Sequence, residues 1–319
     1  MLLSILLVLL GLAILIAGGE SLVRGASSLA RKLKVKPIVI GLTIVAFGTS
    51  TPELAVNIFS AIKGTADIAL GNIIGSNIAN ILLILGICGV IRALRVQTGT
   101  TWKEIPLTVI SAGILYFMVN DVFFDGHSAN ILTKTEGVSL IAFFLIFLAY
   151  TVGLAMMKEK ATAEKVKEYR MPLSVLFILA GLVAMVFGGN LLVDNAVILA
   201  RVAGLSEVLI GLTIVAVGTS LPELVTSVIA TLRGHDDIAV GNIVGSNIFN
   251  VFWILGFTAI LKPLPVGALL NFDILVNIIA TLLLFAFMFI HTKHRLNRWQ
   301  GILFLLLYIG YTAAIVVRG

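Results

Sequence analysis

The 319-residue chain is 59% hydrophobic and only 12% charged, with a mean hydropathy of +1.12. Those values exclude a water-soluble globular domain and leave a membrane-embedded protein. The net charge of +6 does not indicate a nucleic-acid partner, because the basic residues are spread through short loops instead of forming one patch.

Ten apolar runs follow one another along the chain, most of them about 20 residues long and able to cross a hydrocarbon core roughly 30 Å thick. The first, 2–23, has no basic region ahead of it and is too long for the apolar core of a signal peptide, so it reads as a membrane helix. The others are 37–61, 68–91, 105–124, 137–157, 172–193, 207–231, 237–261, 272–291 and 300–317. With the N-terminus outside, the inward loops hold Arg24, Arg31, Lys32, Lys34, Lys36, Arg92, Arg95, Lys103, Lys158, Lys160, Lys165, Lys167, Arg170, Arg233, Lys293, Arg295 and Arg298, which are 17 of the 22 Lys and Arg. Lys63, Lys134, Arg201, Lys262 and Arg318 remain outside. This positive-inside bias predicts that both termini face outward, in a multi-pass protein of a bacterial inner membrane or other plasma membrane, with the lipid bilayer as its surroundings. The lone Cys88 excludes an internal disulfide or a multi-thiolate metal centre and reads as a small core hydrophobe.

The chain is written twice. VIGLTIVAFGTSTPELAV from Val39 matches LIGLTIVAVGTSLPELVT from Leu209, and DIALGNIIGSNIANILLILG from Asp67 matches DIAVGNIVGSNIFNVFWILG from Asp237, all at one offset of 170 residues. A weaker match upstream pairs GGESLVRGASSLAR at Gly18 with GGNLLVDNAVILAR at Gly188. Each unit holds five spans, an odd number, so the second enters the membrane from the opposite side. The expected fold is an all-α polytopic membrane protein of ten helices in two inverted five-helix repeats, 1–157 and 172–319, joined by a short charged linker at 158–171 that reads as helical. Inverted repeats place a binding site near the midplane and permit alternating access.

Most of the 16 acidic residues lie in loops or at span ends, but Glu53 and Glu223 lie well inside the second and seventh spans. A charged group at mid-bilayer costs on the order of 3 kcal/mol on insertion scales, which makes it a functional candidate. No Lys or Arg lies in a span core to neutralise either carboxylate, so a bound cation is the expected counter-charge. Thr49 and Ser50 precede Glu53 by four and three residues, which sets all three on one helical face, and Thr219, Ser220 and Glu223 repeat the pattern. Pro52 and Pro222 each remove a helical hydrogen bond, so kinks are expected near Gly48 and Gly218, freeing carbonyl oxygens to line a cavity or bind ions.

In the third and eighth spans, Ser76 with Asn80 and Ser246 with Asn250 share a face at i and i+4 and supply neutral oxygens. Gly71 with Gly75 and Gly241 with Gly245 form small-xxx-small surfaces for close packing. Asn72, Asn77, Asn242 and Asn247 are expected to hydrogen-bond between helices, outside the ligand shell. The pooled donors are all hard oxygens, a set that suits Ca²⁺ and Na⁺ and disfavours zinc or copper. His127, His235, His291 and His294 sit in loops or at span ends, away from any buried relay.

At GTSTPE, GTSLPE and the two GNIxGSN segments the sequence resembles the calcium/cation antiporter superfamily, and within it the prokaryotic sodium/calcium exchangers, over essentially the whole chain. The resemblance implies a diamond of ion sites between helices 2, 3, 7 and 8. In it Glu53 and Glu223 ligate Ca²⁺ and share Na⁺, and Thr49, Ser50, Ser76, Thr219, Ser220 and Ser246 give oxygens to Na⁺. The carbonyls of Ala46 and Ala216 contribute, those of Thr49 and Thr219 touch Ca²⁺, and helices 1 and 6 slide across this core. Asn250 stands where some relatives carry Asp, which counts against potassium co-transport. Proton/calcium exchangers of the superfamily usually have a further acidic residue in the GN segment, absent here, which favours sodium.

The expected activity is secondary active Na⁺/Ca²⁺ antiport by alternating access, extruding calcium electrogenically, with Ca²⁺ and Na⁺ as substrates and no cofactor, enzymatic activity or obligatory protein partner. The alternative is H⁺/Ca²⁺ or other divalent-cation antiport. A cation channel is a further alternative, disfavoured because kinked helices in inverted halves suit an occluded carrier.

Overall fold

The structure is a computed structural model that describes residues 1–63, 66–124, 126, 128–157, 168–204, 216–267 and 270–318. It is almost wholly helical. The helices are α1 (Leu2–Leu33), α2 (Pro37–Thr49), α3 (Thr51–Lys63), α4 (Ile68–Ile91), α5 (Glu104–Met118), α6 (Lys134–Met156), α7 (Met171–Val202), α8 (Leu221–Leu232), α9 (Asp236–Leu261), α10 (Leu270–Phe287) and α11 (Arg298–Arg318). Among the described residues seven helices are long and apolar enough to span a membrane, and the bent pair α2 and α3 makes an eighth span. The 15-residue α5 and the 12-residue α8 occupy the fourth and seventh expected spans. Residues 205–215, which precede α8, and most of the expected linker helix lie outside the described residues.

Three expected boundaries are corrected. The first span, expected to end at residue 23, runs on to Leu33, where Lys34 with φ 54° closes the helix. The sixth span runs on to Val202, with Asn195 Nδ2 bonding back to the Leu191 carbonyl at 2.8 Å. The fourth ends at Met118 instead of residue 124, because Asn120 leaves the helix and donates to Tyr116 O at 2.7 Å and to Asn271 Oδ1 at 2.9 Å, and Asp121–Phe124 is a separate turn.

Four two-residue strands tie the loops at the two ends of the bundle. Leu94–Arg95 (β1) pairs antiparallel with Arg295–Leu296 (β4), and Ile131–Leu132 (β2) with Leu264–Pro265 (β3). The first pair joins loops from the arginine-rich end and the second joins loops from the other, as ten alternating spans require. Ion pairs gather at the arginine-rich end too: Arg92 with Asp236 at 3.7 Å, Arg31 with Glu168 at 2.6 Å, and Arg24 with Glu20 at 2.5 Å.

Burial separates the helices: 78% and 83% of the apolar stretch lies inside the protein in α4 and α9, against 44% in α10, 28% in α1 and α7, 22% in α6 and 17% in α11. In lipid, apolar side chains gain little by facing each other, so helices associate where small residues let backbones approach. α1 and α7 do so antiparallel along their length. A Cβ added to Gly11, Gly18 or Gly25 would stand 2.7–2.8 Å from the carbonyl of Gly188, Gly181 or Ser174. Reciprocally, one on Gly181 or Gly188 would meet the carbonyl of Gly18 or Gly11 at the same range. The two helices are therefore joined backbone to backbone as one unit lying across the core.

In the core, the Gly241 and Gly245 surface packs on α2: a Cβ on Gly245 would stand 2.8 Å from Leu42 O and from Ala46 Cβ. Gly71 and Gly75 meet no atom within 4 Å among the described residues. The chain that would match α2 for them, residues 211–216, falls in the stretch whose side chains are outside the description.

Candidate cation site

The carboxylates of Glu53 in α3 and Glu223 in α8 are fully buried. Each stands in the first turn after a break. The α2–α3 span bends by 44°, and the break is at Ser50, whose φ of −82° and ψ of 10° leave helical geometry. Ser220, with φ −86° and ψ 6°, marks the same point before α8. Pro52 and Pro222 occupy the second position of the helix that follows, where a missing amide hydrogen costs nothing. The kink expected at Gly48 and Gly218 is thus displaced by two residues. Those glycines serve close approach instead: a Cβ on Gly48 would strike Leu182 Cδ2 at 2.4 Å, and one on Gly218 would strike Val193 Cγ2 at 2.7 Å, both on α7.

The Ala46 carbonyl, expected to be freed by the bend, accepts from Ser50 N at 3.0 Å and from Thr49 Oγ1 at 3.3 Å. In the second repeat Ser220 N donates to Val217 O at 3.1 Å. The side chain of Ala216 lies outside the described residues.

Hydroxyls of both halves meet at the carboxylates, and that of Ser50 crosses from the first half to the glutamate of the second. Glu223 Oε1 accepts from Ser50 Oγ at 3.0 Å and from Ser246 Oγ at 3.4 Å, and Glu53 Oε1 accepts from Ser76 Oγ at 3.2 Å. Ser220 Oγ lies 3.1 Å from Ser76 Oγ, which also accepts from Asn250 Nδ2 at 3.3 Å. Asn80 Nδ2 donates to Asn247 Oδ1 and Asn250 Nδ2 to Asn77 Oδ1, both at 2.9 Å, while Asn77 and Asn247 each donate to the other's backbone carbonyl. This lattice joins α4 to α9. Asn80 and Asn250 sit in widened π turns that start at Ala79 and Phe249, equivalent positions in the two repeats, and such turns recur at functional sites.

Four acceptors are left over. Glu53 Oε2, Glu223 Oε2, Asn80 Oδ1 and Asn250 Oδ1 are buried with no hydrogen-bond donor among the described residues. No Lys or Arg pairs with either glutamate among those residues. Burying a carboxylate without a donor or counter-ion is costly. A set of oxygens short of positive charge at membrane depth is what a cation would satisfy. Thr49, Ser50, Ser76, Ser220 and Ser246 are buried with the carboxylates. Thr219 is half-exposed, and it lines, with Pro52, Gly218 and Pro222, a cavity of about 560 Å³ that extends to Lys63, Asn190 and Asp194. A second cavity, of about 1140 Å³, opens at the arginine-rich end between α1 and α8, past Glu20, Arg24, Ser27 and Arg233.

The sequence profile of the family described as sodium/calcium exchanger protein matches residues 3–153 and 173–317, nearly the whole chain in two blocks. The chain belongs to that family. The chain is similar to a putative antiporter, CaxA, of Alkalimonas amylolytica, 38% identical over 98% of each chain. The sodium/calcium exchanger MaX1 of Methanosarcina acetivorans is 32% identical over 97% of each, and the Escherichia coli inner membrane protein YrbG is 35% identical over 82% of this chain and 81% of its own. Among solved structures, the sodium-calcium exchanger NCX_Mj soaked with Na⁺ and no Ca²⁺ superposes with a TM-score of 0.84 at 32% identity, covering 98% of both chains. The same exchanger soaked with Na⁺ and Sr²⁺ gives the same score. This member of the exchanger family is accordingly a multi-pass membrane transporter.

Sequence reasoning missed Asn57 and Ser227, which stand four residues after each glutamate. Asn57 Nδ2 donates to the Glu53 carbonyl at 3.0 Å, and Ser227 Oγ accepts from Asn242 Nδ2 at 3.0 Å. The i, i+4 spacing from Glu53 and Glu223 was a usable signal. Buried acids outside the site also escaped it: Glu104, Asp121, Asp236 and Asp273 are buried. Each lies in the first turn of a helix, where the positive end of the helix dipole favours a carboxylate.

Proposed function

We propose that this protein exchanges Na⁺ for Ca²⁺ by alternating access and exports calcium electrogenically, with Glu53, Glu223 and the surrounding Thr, Ser and Asn oxygens as the shared ion site. The observation that carries the reading is the set of four buried acceptor oxygens, two of them carboxylate, with neither donor nor basic partner among the described residues.

With both glutamates ionised the site holds two negative charges. One Ca²⁺ neutralises it and lets the loaded protein rearrange; Na⁺ ions acting together do the same. An empty, doubly charged site resists rearrangement away from water, which enforces exchange over leak. If more than two Na⁺ move per Ca²⁺, net charge crosses, and a membrane potential then contributes about 2.3 kcal/mol per charge per 100 mV. The α1–α7 unit, joined by its glycines and touching both breaks through Leu182 and Val193, is the element that slides. The arginine-rich end faces the cytoplasm, both termini face outward, and 158–171 joins the inverted halves.

The test is uptake of radioactive calcium into proteoliposomes loaded with sodium, potassium or choline. Uptake that requires internal sodium is the expected result. Uptake indifferent to sodium but driven by a pH gradient would replace sodium with protons as the counter-ion.

A further inference from the structure

A threonine hydroxyl has one proton and two lone pairs, and it serves a cation only with a lone pair. Where its proton goes therefore decides how well it binds. Thr49 Oγ1 has Asn242 Oδ1 at 3.0 Å and the Ala46 carbonyl at 3.3 Å as acceptors, and inside the site the Glu223 carboxylate is the competing one. The orientation of the Asn242 amide is settled by its other end. Its Nδ2 donates to the Glu223 backbone carbonyl at 3.4 Å and to Ser227 Oγ at 3.0 Å. A carbonyl only accepts, so the nitrogen must face α8 and the oxygen must face Thr49.

The first repeat lacks this arrangement. Asn72 Oδ1 accepts from Thr219 Oγ1 at 3.3 Å, but Asn72 Nδ2 has no partner among the described residues. The cause is one difference between the repeats. Asn57 stands where the second repeat has Ser227, and its own Nδ2 has taken the Glu53 carbonyl, leaving Asn57 Oδ1 without a donor. Among the described residues nothing anchors the Asn72 amide in one orientation, so the Thr219 proton is not directed as the Thr49 proton is.

We propose that Asn242 is a positioning residue for sodium: it holds the Thr49 proton away from the site, so that Thr49 Oγ1 offers lone pairs to a monovalent cation, whereas Asn72 does not preset Thr219. Calcium depends less on this hydroxyl, because its charge is met chiefly by the two carboxylates. The inference rests on the proposed role of Thr49 as a sodium ligand.

The experiment is a double-mutant cycle in proteoliposomes with Asn242→Leu, Thr49→Val and both together. It reads the half-saturating sodium concentration for Na⁺/Ca²⁺ exchange and the half-saturating calcium concentration for Ca²⁺/Ca²⁺ exchange. Asn242→Ser, which keeps a polar group toward Ser227 but is too short to reach Thr49, runs in parallel in case the leucine variant does not fold. Each Asn242 variant is expected to raise the sodium value about tenfold, the worth of roughly one buried hydrogen bond, and to leave the calcium value within about threefold. Asn242→Leu should add nothing once Thr49 is Val, since coupled residues are non-additive. Independent effects, or equal weakening toward both ions, would overturn the proposal and leave Asn242 a purely structural residue. A Thr49→Val protein with unchanged sodium dependence would instead remove the ligand role on which the proposal stands.

Discussion

Arg233, at the end of α8, grips Glu20 of α1 side-on: its Nε donates to Oε2 at 2.9 Å and its Nη2 meets Oε1, which also takes Arg24 Nε. Two-point geometry of this kind is the case in which a partly exposed ion pair contributes about 1 kcal/mol instead of nothing. It fastens the α1–α7 unit to the core at the arginine-rich mouth. At the equivalent place in the other mouth Asn190 stands for Glu20 and cannot pair with Lys63 as a carboxylate would. Arg233→Gln should therefore loosen one mouth only. With Cys88 replaced by Ala, a cysteine placed at Ser27, buried in that mouth, should react several-fold faster with a maleimide when Arg233 is also replaced. An unchanged rate would show that the grip does not hold the mouth.

Glu53→Gln and Glu223→Gln should each abolish sodium-driven calcium uptake while leaving the protein folded. The sign of the stability change is informative. Each variant removes a buried carboxylate that has no basic partner among the described residues, so thermal unfolding of the ion-free protein in detergent should occur at the same or a higher temperature. Stabilisation by added calcium should disappear. A lower melting point in the absence of ions would mean that the carboxylates support the fold instead of the cargo.

Gly181→Val should push α1 from α7, because its Cβ would lie 2.7 Å from the Gly18 carbonyl and 2.7 Å from Leu22 N. Backbone atoms cannot yield as a side chain tip can, so loss of both transport and several degrees of melting temperature is expected. Gly113→Ala, where a Cβ meets nothing within 4 Å among the described residues, should be neutral or gain about 0.5–1 kcal/mol through helix propensity. If both variants behaved alike, the backbone contact would not be what joins the pair.

Asn250→Asp adds a third carboxylate to the site, at a side chain whose Oδ1 already lacks a donor among the described residues. It also sets an anion 2.9 Å from Asn77 Oδ1, where the amide nitrogen now donates. The ion-free variant should melt at a lower temperature than the parent. Calcium should bind more tightly, but turnover should fall, because one Ca²⁺ no longer neutralises the site. Calcium-dependent melting together with initial uptake rates checks both halves of this expectation, and faster turnover at equal affinity would contradict it.

The fold class was legible from the sequence because lipid imposes it: apolar runs of spanning length and a constant offset of 170 leave little besides two inverted helical bundles. The burial of Glu53 and Glu223 was legible for the same reason, since both stand in apolar runs far from any basic residue. Local spacing also put Thr49 and Ser50 beside Glu53. What periodicity along one helix does not encode is which helix lies opposite. Only the tertiary structure decided that Ser50 serves Glu223 in place of its own Glu53, that Asn242 takes the proton of Thr49, that the Ala46 carbonyl is already engaged, and that Gly48 and Gly218 receive α7 instead of forming the break. These depend on how elements more than a hundred residues apart cross, which is set by close packing of backbones at glycine and by the demand that every buried donor find an acceptor.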